Sequence, residues 1–214
     1  QPPDSEVDFC FTSIDEVRNF GPQAAVVANP ASHHLDMALT LARQGVHLLI
    51  EKPISVAATQ GVLELINICR EQGIALMTGY NLRFLPSLAA FRDLLHRGKV
   101  GKIFSIRAEV GQYLPDWRPD SDYRKTVSAQ KKFGGGALLE LSHEIDYLQW
   151  LFGRIDWVKA HVVCHSDLEI DVEDTAYLLL GFEFDEHGQQ RVASLNMDFI
   201  RHDTTRQCVV IGDQ

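Results

Sequence analysis

Over the first eighty-odd residues, short apolar runs, polar corners and helical stripes follow one another in a fixed order. Ala24 to Ala28 is an apolar run closed by Asn29-Pro30-Ala31-Ser32-His33-His34. Leu35 to Arg43 carries Leu35, Ala38, Leu39 and Ala42 at helical spacing, and Gly45 follows as a stop. Val46 to Ile50 is a nearly unbroken apolar strand that ends in Glu51-Lys52-Pro53, where proline has no N–H to continue a ladder. Val56 to Gln72 places Val62, Leu65, Ile66 and Cys69 on one helical stripe ahead of Gly73. Ile74 to Met77 is the next apolar run and leads into Thr78-Gly79-Tyr80-Asn81-Leu82-Arg83-Phe84. Apolar strands alternating with helices predict parallel strands, covered on both faces and joined by right-handed crossovers. Ahead of them, Val7 to Phe11 predicts a short strand, and Ser13 with Glu16 three residues on predicts a capped helix start.

After Phe84 the pattern changes. Ser87 to Arg97 predicts a helix with Leu88, Phe91, Leu94 and Leu95 on its apolar side. Ile103 to Val110 alternates residue by residue, which predicts a strand in a sheet with one lightly covered face. Gly111 to Phe133 is a long irregular stretch rich in Pro, Asp, Trp and Tyr, whose aromatics argue for an ordered, functional loop. Gly134-Gly135-Gly136 opens a predicted helix from Ala137 to Phe152, and three glycines allow positive φ and close approach of the backbone to a ligand. Leu138, Leu141, Ile145 and Leu148 line its apolar side, with Glu140, His143, Asp146 and Trp150 on the other. Trp157 to Cys164, Thr175 to Phe184, Arg191 to Phe199 and Arg206 to Ile211 predict strands, with Asp185-Glu186-His187-Gly188 as a hairpin turn. The fold class is therefore α/β plus α+β. Residues 1–84 form a partial Rossmann-like parallel sheet, and residues 85–214 a mostly antiparallel open-sheet domain.

Composition narrows the function classes. The chain has 214 residues, 45% hydrophobic and 23% charged, which is ordinary for a globular protein. A net charge of −9 disfavours nucleic acid and anionic membrane as partners, and no apolar run is long enough to span a bilayer. Cys10, Cys69, Cys164 and Cys208 lie far apart and read as reduced core thiols of a cytoplasmic protein. Neither His33-His34 nor His161-x-x-Cys164 completes a metal-ligand set, and the single Glu140-x-x-His143 pair cannot build a di-iron site, so no metal is expected.

The candidate chemistry sits at strand ends. Lys52 at a strand's carboxyl end can hydrogen-bond a substrate hydroxyl and stabilise a developing alkoxide; the plain alternative is a surface lysine. His143 on its helix can accept a proton, or it can be a core-facing histidine bonded to Asp146 or Tyr147. Tyr80, Asn81 and Arg83 offer a ring, an amide and a planar cation suited to a sugar or a sugar acid, although Arg83 can pair internally instead. Trp117, Arg118, Tyr123 and Arg124 can close over a substrate, or they can belong to a packed loop or a subunit contact. Asn29, Pro30 and His34 can equally form the plain start of a helix.

Taken together, Ala28-Asn29-Pro30 with His34, Glu51-Lys52-Pro53, Gly79-Tyr80-Asn81-x-Arg83-Phe84, and Gly134-Gly135-Gly136 with His143 and Asp146 resemble the Gfo/Idh/MocA family of NAD(P)-dependent oxidoreductases. The resemblance runs from about Phe11 to the end of the chain. Tyr113 to Pro119 and Leu139 to Tyr147 look most like its branch associated with bacterial surface-polysaccharide sugars.

The resemblance implies NAD or NADP as cofactor and a sugar or nucleotide-sugar hydroxyl or ketone as substrate. It implies Lys52 and His143 as the catalytic pair. Asn29, Pro30, His34, Glu51, Pro53, Trp117 and Arg118 would contact cofactor, and Tyr80, Asn81, Arg83, Tyr123, Arg124 and Asp146 would contact substrate. The family's acidic residue usually stands four before the histidine; here Leu139 holds that place and Glu140 stands three before it. No G-x-G-x-x-G occurs in the sequence, so the resemblance implies a nucleotide-binding unit upstream and a chain incomplete at both ends. The open sheet is expected to bury its face in a homo-oligomer, a dimer or a tetramer. The rival readings are a non-catalytic sugar-binding or assembly protein of the same fold, and a lyase or hydrolase that works through transient oxidation.

Overall fold

The computed structural model describes residues 7–186 and 188–214. The chain divides into two compact units, one ending at Gly79 and one starting at Tyr80.

In the first unit, α1 (Ile14–Phe20) starts as its sequence dictates. The Ser13 hydroxyl accepts the backbone N–H of Glu16, the Glu16 carboxylate accepts the N–H of Ser13, and Gly21 closes the helix at φ 70°. Then follow β1 (Ala24–Val27), a 3-10 turn (Ala31–His33), α2 (His34–Ala42), β2 (His47–Ile50), α3 (Gln60–Gln72) and β3 (Leu76–Thr78). The strands are parallel in the order β1-β2-β3, with Val27 opposite Ile50 and Ile50 opposite Thr78. Ala38, Leu41 and Ala42 of α2 and Leu65 and Cys69 of α3 pack on Val27, Leu48 and Ile50.

The expectation of two covered faces meets a different outcome. The opposite face carries Val26, Leu49 and Met77 in one register row, and they are 65%, 37% and 55% exposed. Val7 to Phe11 forms no strand, having no ladder partner among the described residues. Its Phe9 and Phe11 gather instead around Phe20, at centroid distances of 5.4–6.3 Å. α3 begins at Gln60 rather than near Val56, because Thr59, with extended dihedrals, is its N-cap.

The second unit holds α4 (Pro86–His96), β4 (Ile103–Gly111), α5 (Ala137–Glu140), α6 (His143–Phe152), β5 (Ile155–Val163), β6 (Thr175–Phe184), β7 (Gln190–Asp198) and β8 (Thr205–Gly212). The sheet order is β5-β6-β7-β4-β8; β4 runs parallel to β7 and the remaining pairs are antiparallel. Alternation works as expected. Ile106, Ala108 and Val110 of β4, Leu178, Leu180 and Phe182 of β6 and Ala193, Leu195 and Met197 of β7 share one core with Tyr147, Leu148, Leu151 and Phe152 of α6. Each large side chain fully buried there contributes roughly 1.5–3 kcal/mol of transfer free energy. The other face of the sheet stays open, and Gly181 lies under the Trp157 indole, where any Cβ would collide.

Two expected elements take a different form. The helix expected from Ala137 to Phe152 is two helices with a break at Leu141 and Ser142, so His143 opens α6. The long stretch after β4 is ordered as four 3-10 turns: Leu114–Trp117, Tyr123–Lys125, Val127–Ala129 and Lys131–Phe133. The β6–β7 turn is closed by Gly188 N–H on the Asp185 carbonyl; His187 lies outside the described residues.

All four cysteines are free, but Cys10 and Cys164 are exposed, which corrects the expectation of four core thiols. Among the described residues no helix is long and apolar enough to cross a membrane.

Candidate active site

In the first unit the carboxyl ends of β1, β2 and β3 lie side by side, because parallel strands end at one edge. β1 delivers Asn29 and Pro30, β2 delivers Glu51, Lys52 and Pro53, and β3 delivers Gly79. The Glu51 N–H donates to Val27 O at 2.8 Å and the Gly79 N–H donates to Ile50 O at 2.7 Å, so the ladder continues into the corners. Lys52 is half-buried and Pro53 buried, and the peptide bond between them is cis. A Cβ on Gly79 would meet Glu51 Oε2 at 2.9 Å, so the Glu51 carboxylate lies close against this glycine and would have to shift for a larger residue. His34, 1% exposed, sits between the corners, with Nδ1 2.8 Å from Pro53 O and Nε2 2.7 Å from Asn29 O.

The second unit gathers another group of the expected residues around α6. Tyr80 meets His143 edge-on at 5.6 Å between ring centroids. Arg83 lies across Asp146 as a two-pronged pair, Nε donating to Oδ2 at 2.8 Å and Nη2 to Oδ1 at 2.6 Å. The Asp146 carboxylate holds the Arg83 guanidinium above its ordinary value, and burial opposes this. Arg83 and Arg92 both lie over the Trp150 ring, at 6.0 and 4.4 Å. Tyr80/His143, Arg83/Asp146 and Arg92/Trp150 are thus three successive rungs along α6, and the spacing His143-x-x-Asp146-x-x-x-Trp150 puts them on one helix face. Asn81 is exposed beside them.

The long loop engages its own chain. Trp117 packs edge-on against Phe199 at 5.2 Å and donates its N–H to Gln112 O, whereas Arg118 is exposed. Arg124 donates to Asp122 and Glu169, and these carboxylates push its guanidinium further up. Tyr123 accepts the Glu169 N–H on its hydroxyl. Gly135 backs onto the carbonyls of Val127 and Ser128, and a Cβ on Gly136 would collide with the Glu173 carboxylate. The close approach that these glycines permit is therefore to the chain itself. Glu140 accepts the Ser128 hydroxyl at 3.1 Å.

Sequence reasoning missed the fastening of this loop. Glu173 accepts the Leu138 N–H at 2.9 Å, Asp171 accepts the Lys131 N–H at 2.6 Å, and buried Asp174 gathers the turn from Cys164 to Ser166. An acidic cluster before a strand carries no signal of its partners 35 and 40 residues away.

Two family models match the sequence: the GFO/IDH/MocA C-terminal domain over residues 88–214, and an oxidoreductase family with NAD-binding Rossmann fold over residues 4–80. The chain belongs to the GFO/IDH/MocA family. It is 30% identical over 160 residues to an uncharacterized oxidoreductase of Synechocystis sp., covering 74% of this chain and 42% of that protein. It is 29% identical over 136 residues to levoglucosan dehydrogenase of Pseudarthrobacter phenanthrenivorans, covering 63% of this chain and 34% of that protein. The chain thus spans less than half the length of these curated relatives. Its fold is that of the WlbA dehydrogenase of Bordetella pertussis, solved with NADH and UDP-GlcNAcA: TM-score 0.80, 24% identity, 95% of this chain and 57% of that one. GenD2 from gentamicin A biosynthesis, solved with NAD, gives a TM-score of 0.76 at 26% identity, covering 94% of this chain and 56% of that one.

The family's NAD has a partial cradle in these residues. Asn29 Oδ1 is buried and has no hydrogen-bond partner among the described residues, so it is an acceptor awaiting a donor at the end of β1. Glu51, Lys52 and Gly79 border the same edge. This set fits the polar nicotinamide-ribose end of a dinucleotide. The Gly-rich turn that cradles pyrophosphate is not in the sequence.

Proposed function

We propose that the protein catalyses NAD(P)-dependent oxidation or reduction of a sugar hydroxyl or ketone, on a nucleotide-linked sugar of surface-polysaccharide biosynthesis. The observation that carries this is half-buried Lys52 at the carboxyl end of β2, on the same sheet edge as Asn29, whose Oδ1 has no partner among the described residues, and Glu51, which lies close to Gly79. Open parallel sheets bind ligands at that edge. The NADH- and NAD-bound structures of similar fold support the choice of cofactor. The UDP-GlcNAcA bound to WlbA supports the nucleotide-sugar class.

When bound, the nicotinamide supplies the two-electron redox chemistry. Asn29, Pro30, Glu51 and Pro53 would border its ribose end, and Arg118, which is exposed, would be available for a phosphate. Lys52 donates a hydrogen bond to the reacting oxygen and stabilises its developing negative charge. His143, edge-on to Tyr80 in the second unit, is the proposed proton acceptor. Arg83 and Asp146 hold the substrate side of α6, with Asn81, Tyr123 and Arg124 bordering the sugar. The four free thiols fit the reducing cytoplasm. The open sheet face, with Tyr177, Leu179, Val192, Val209 and Ile211 each about two-fifths exposed, fits a homo-oligomer contact.

Titration with NADH followed by nicotinamide fluorescence, then turnover against a panel of sugars and nucleotide sugars, tests the reading. Lys52→Ala and His143→Ala should each lower kcat by roughly 10²–10⁴-fold while NADH still binds. Saturable sugar binding with no NADH binding would favour a non-catalytic sugar-binding protein.

A further inference from the structure

Two guanidinium groups share the Trp150 indole on α6. Arg92 of α4 lies over it at 4.4 Å from the ring centroid, and Arg83 at 6.0 Å. Among the described residues a single carboxylate answers them. Asp146 takes Nε and Nη2 of Arg83. Asp93, next to Arg92 in sequence, is held by Arg97 at 2.9 Å instead. Arg92 is half-buried, it has no ion-pair partner among the described residues, and its Nε is buried without an acceptor. Burying a cation without counter-charge is costly, and the face of an indole returns only part of that cost. The local excess of positive charge also runs against a chain whose net charge is −9.

We propose that Arg83 and Arg92, with the Trp150 indole they share, form a subsite for an oxyanion of the ligand, the carboxylate or phosphate of an acidic sugar. Arg83 keeps Nη1 after binding Asp146, and Asp146 fixes the direction of that donor. Arg92 adds its terminal amino groups, which no residue engages among those described. Guanidinium forks match carboxylate and phosphate oxygens in shape as well as charge. A neutral sugar would leave the charge of Arg92 unanswered, whereas an acidic one neutralises it in a half-buried setting, where the attraction exceeds its value in water.

The subsite lies on the helix face that carries His143, the proposed proton acceptor. At 1.5 Å of rise per residue, Asp146 and Trp150 stand about 5 and about 10 Å further along the axis of α6. A sugar ring with an acidic substituent covers that span. The role in substrate selection rests on the proposed function; the binding of an oxyanion does not.

The test is titration calorimetry of the full chain with glucose 1-phosphate, glucuronate and glucose, each with and without saturating NADH. At least one acidic sugar should bind about 10-fold or more tightly than glucose, with a preference that shrinks as salt rises. Arg92→Met keeps an apolar stem at this position, so it should remove most of the preference and leave the affinity for glucose unchanged. Equal affinities for acidic and neutral sugars, no binding of either acidic sugar, or a preference that survives Arg92→Met overturns the proposal. If Arg92→Met fails to fold, Arg92→Lys decides: it keeps the charge and loses the fork, so it must weaken the acidic sugar more than glucose, and equal effects on both overturn the proposal. A preference for acidic sugars without NADH binding would leave the subsite standing and remove the proposed function. NADH-dependent turnover of sugars with no such preference would do the reverse.

Discussion

Replacing Asp174 with asparagine tests how the second unit is fastened. Asp174 is fully buried. Its carboxylate accepts the N–H of His165 at 2.9 Å, the N–H and hydroxyl of Ser166 at 2.8 and 2.7 Å, and the hydroxyl of Thr175 at 2.8 Å. Burial alone would push its pKa up, but the Ser166 hydroxyl and the His165 and Ser166 N–H groups outweigh it and hold the group below the usual carboxylate range. A depressed folded pKa means stability that is present above the unfolded value of about 3.9 and is lost as pH falls through the folded value. In Asp174→Asn one oxygen becomes a donor facing donors, and the remaining bonds lose their charge. A hydrogen bond to a charged group contributes about 1.5–3 kcal/mol against about 0.5–1.5 for a neutral one. Downgrading three bonds therefore costs roughly 2–4 kcal/mol. At about 2–4 °C per kcal/mol for a chain of this size, the transition of this unit should fall by roughly 5–15 °C. Calorimetry across a pH series is the assay. The gap between the two proteins should be widest near neutral pH and should close in strong acid, where the native carboxyl is protonated too. A variant as stable as the parent at neutral pH, or a gap that does not depend on pH, would refute the reasoning.

Arg83→Met and Asp146→Asn should each destabilise the second unit by about 1–2 kcal/mol, a figure discounted because the Arg83 side chain is 39% exposed. Their urea midpoints should be non-additive by about 1 kcal/mol in a double-mutant cycle, and strictly additive values would show that the pair is uncoupled. Gly136→Ala should cost about 1–3 kcal/mol, because Gly136 has φ 106° and a Cβ there would press on the Glu173 carboxylate; a denaturant midpoint equal to the parent's would contradict this. Burial pushes the Cys208 thiol up to about 11, so iodoacetamide at mildly alkaline pH should label exposed Cys10 well before Cys208 by peptide mass mapping.

Local signals carried most of the fold. The Ser13/Glu16 pair, the glycine stop at Gly73 and the alternation in β4 depend on neighbours within a few residues, and the structure keeps all of them. Expectations that depended on distant partners did less well. Val7 to Phe11 has strand-forming residues, but a strand exists only against another strand. The stripe from Ala137 to Phe152 has no glycine or proline to announce a break, yet the helix stops at Glu140 and restarts at His143. Glu173 and Ser128 both fasten α5, on the N-terminal side of that break, through the Leu138 N–H and the Glu140 carboxylate, and neither is near it in sequence.

The candidate site divides along the same line. Strand-end residues such as Glu51, Lys52 and Gly79 could be read because a parallel sheet sends each strand's last residues to one edge, and the apolar runs show where each strand ends. The Arg83–Asp146 pair spans 63 residues, and no periodicity predicts it. Arg83, Asp146 and Arg124 are the charged groups expected to meet a sugar, and each already holds a partner of opposite sign. A substrate that used them would have to compete with that partner or accept a second bond from the same group. For a carboxylate this is easy, because Asp146 has lone pairs left after binding Arg83. For a guanidinium it depends on which of its N–H groups remain. Arg83 engages Nε and Nη2 and keeps Nη1, whereas Arg124 engages Nε, Nη1 and Nη2. Of the two arginines, Arg83 therefore has more capacity left for a sugar oxygen, and Asp146, which aligns it, sets the direction in which that remaining donor points.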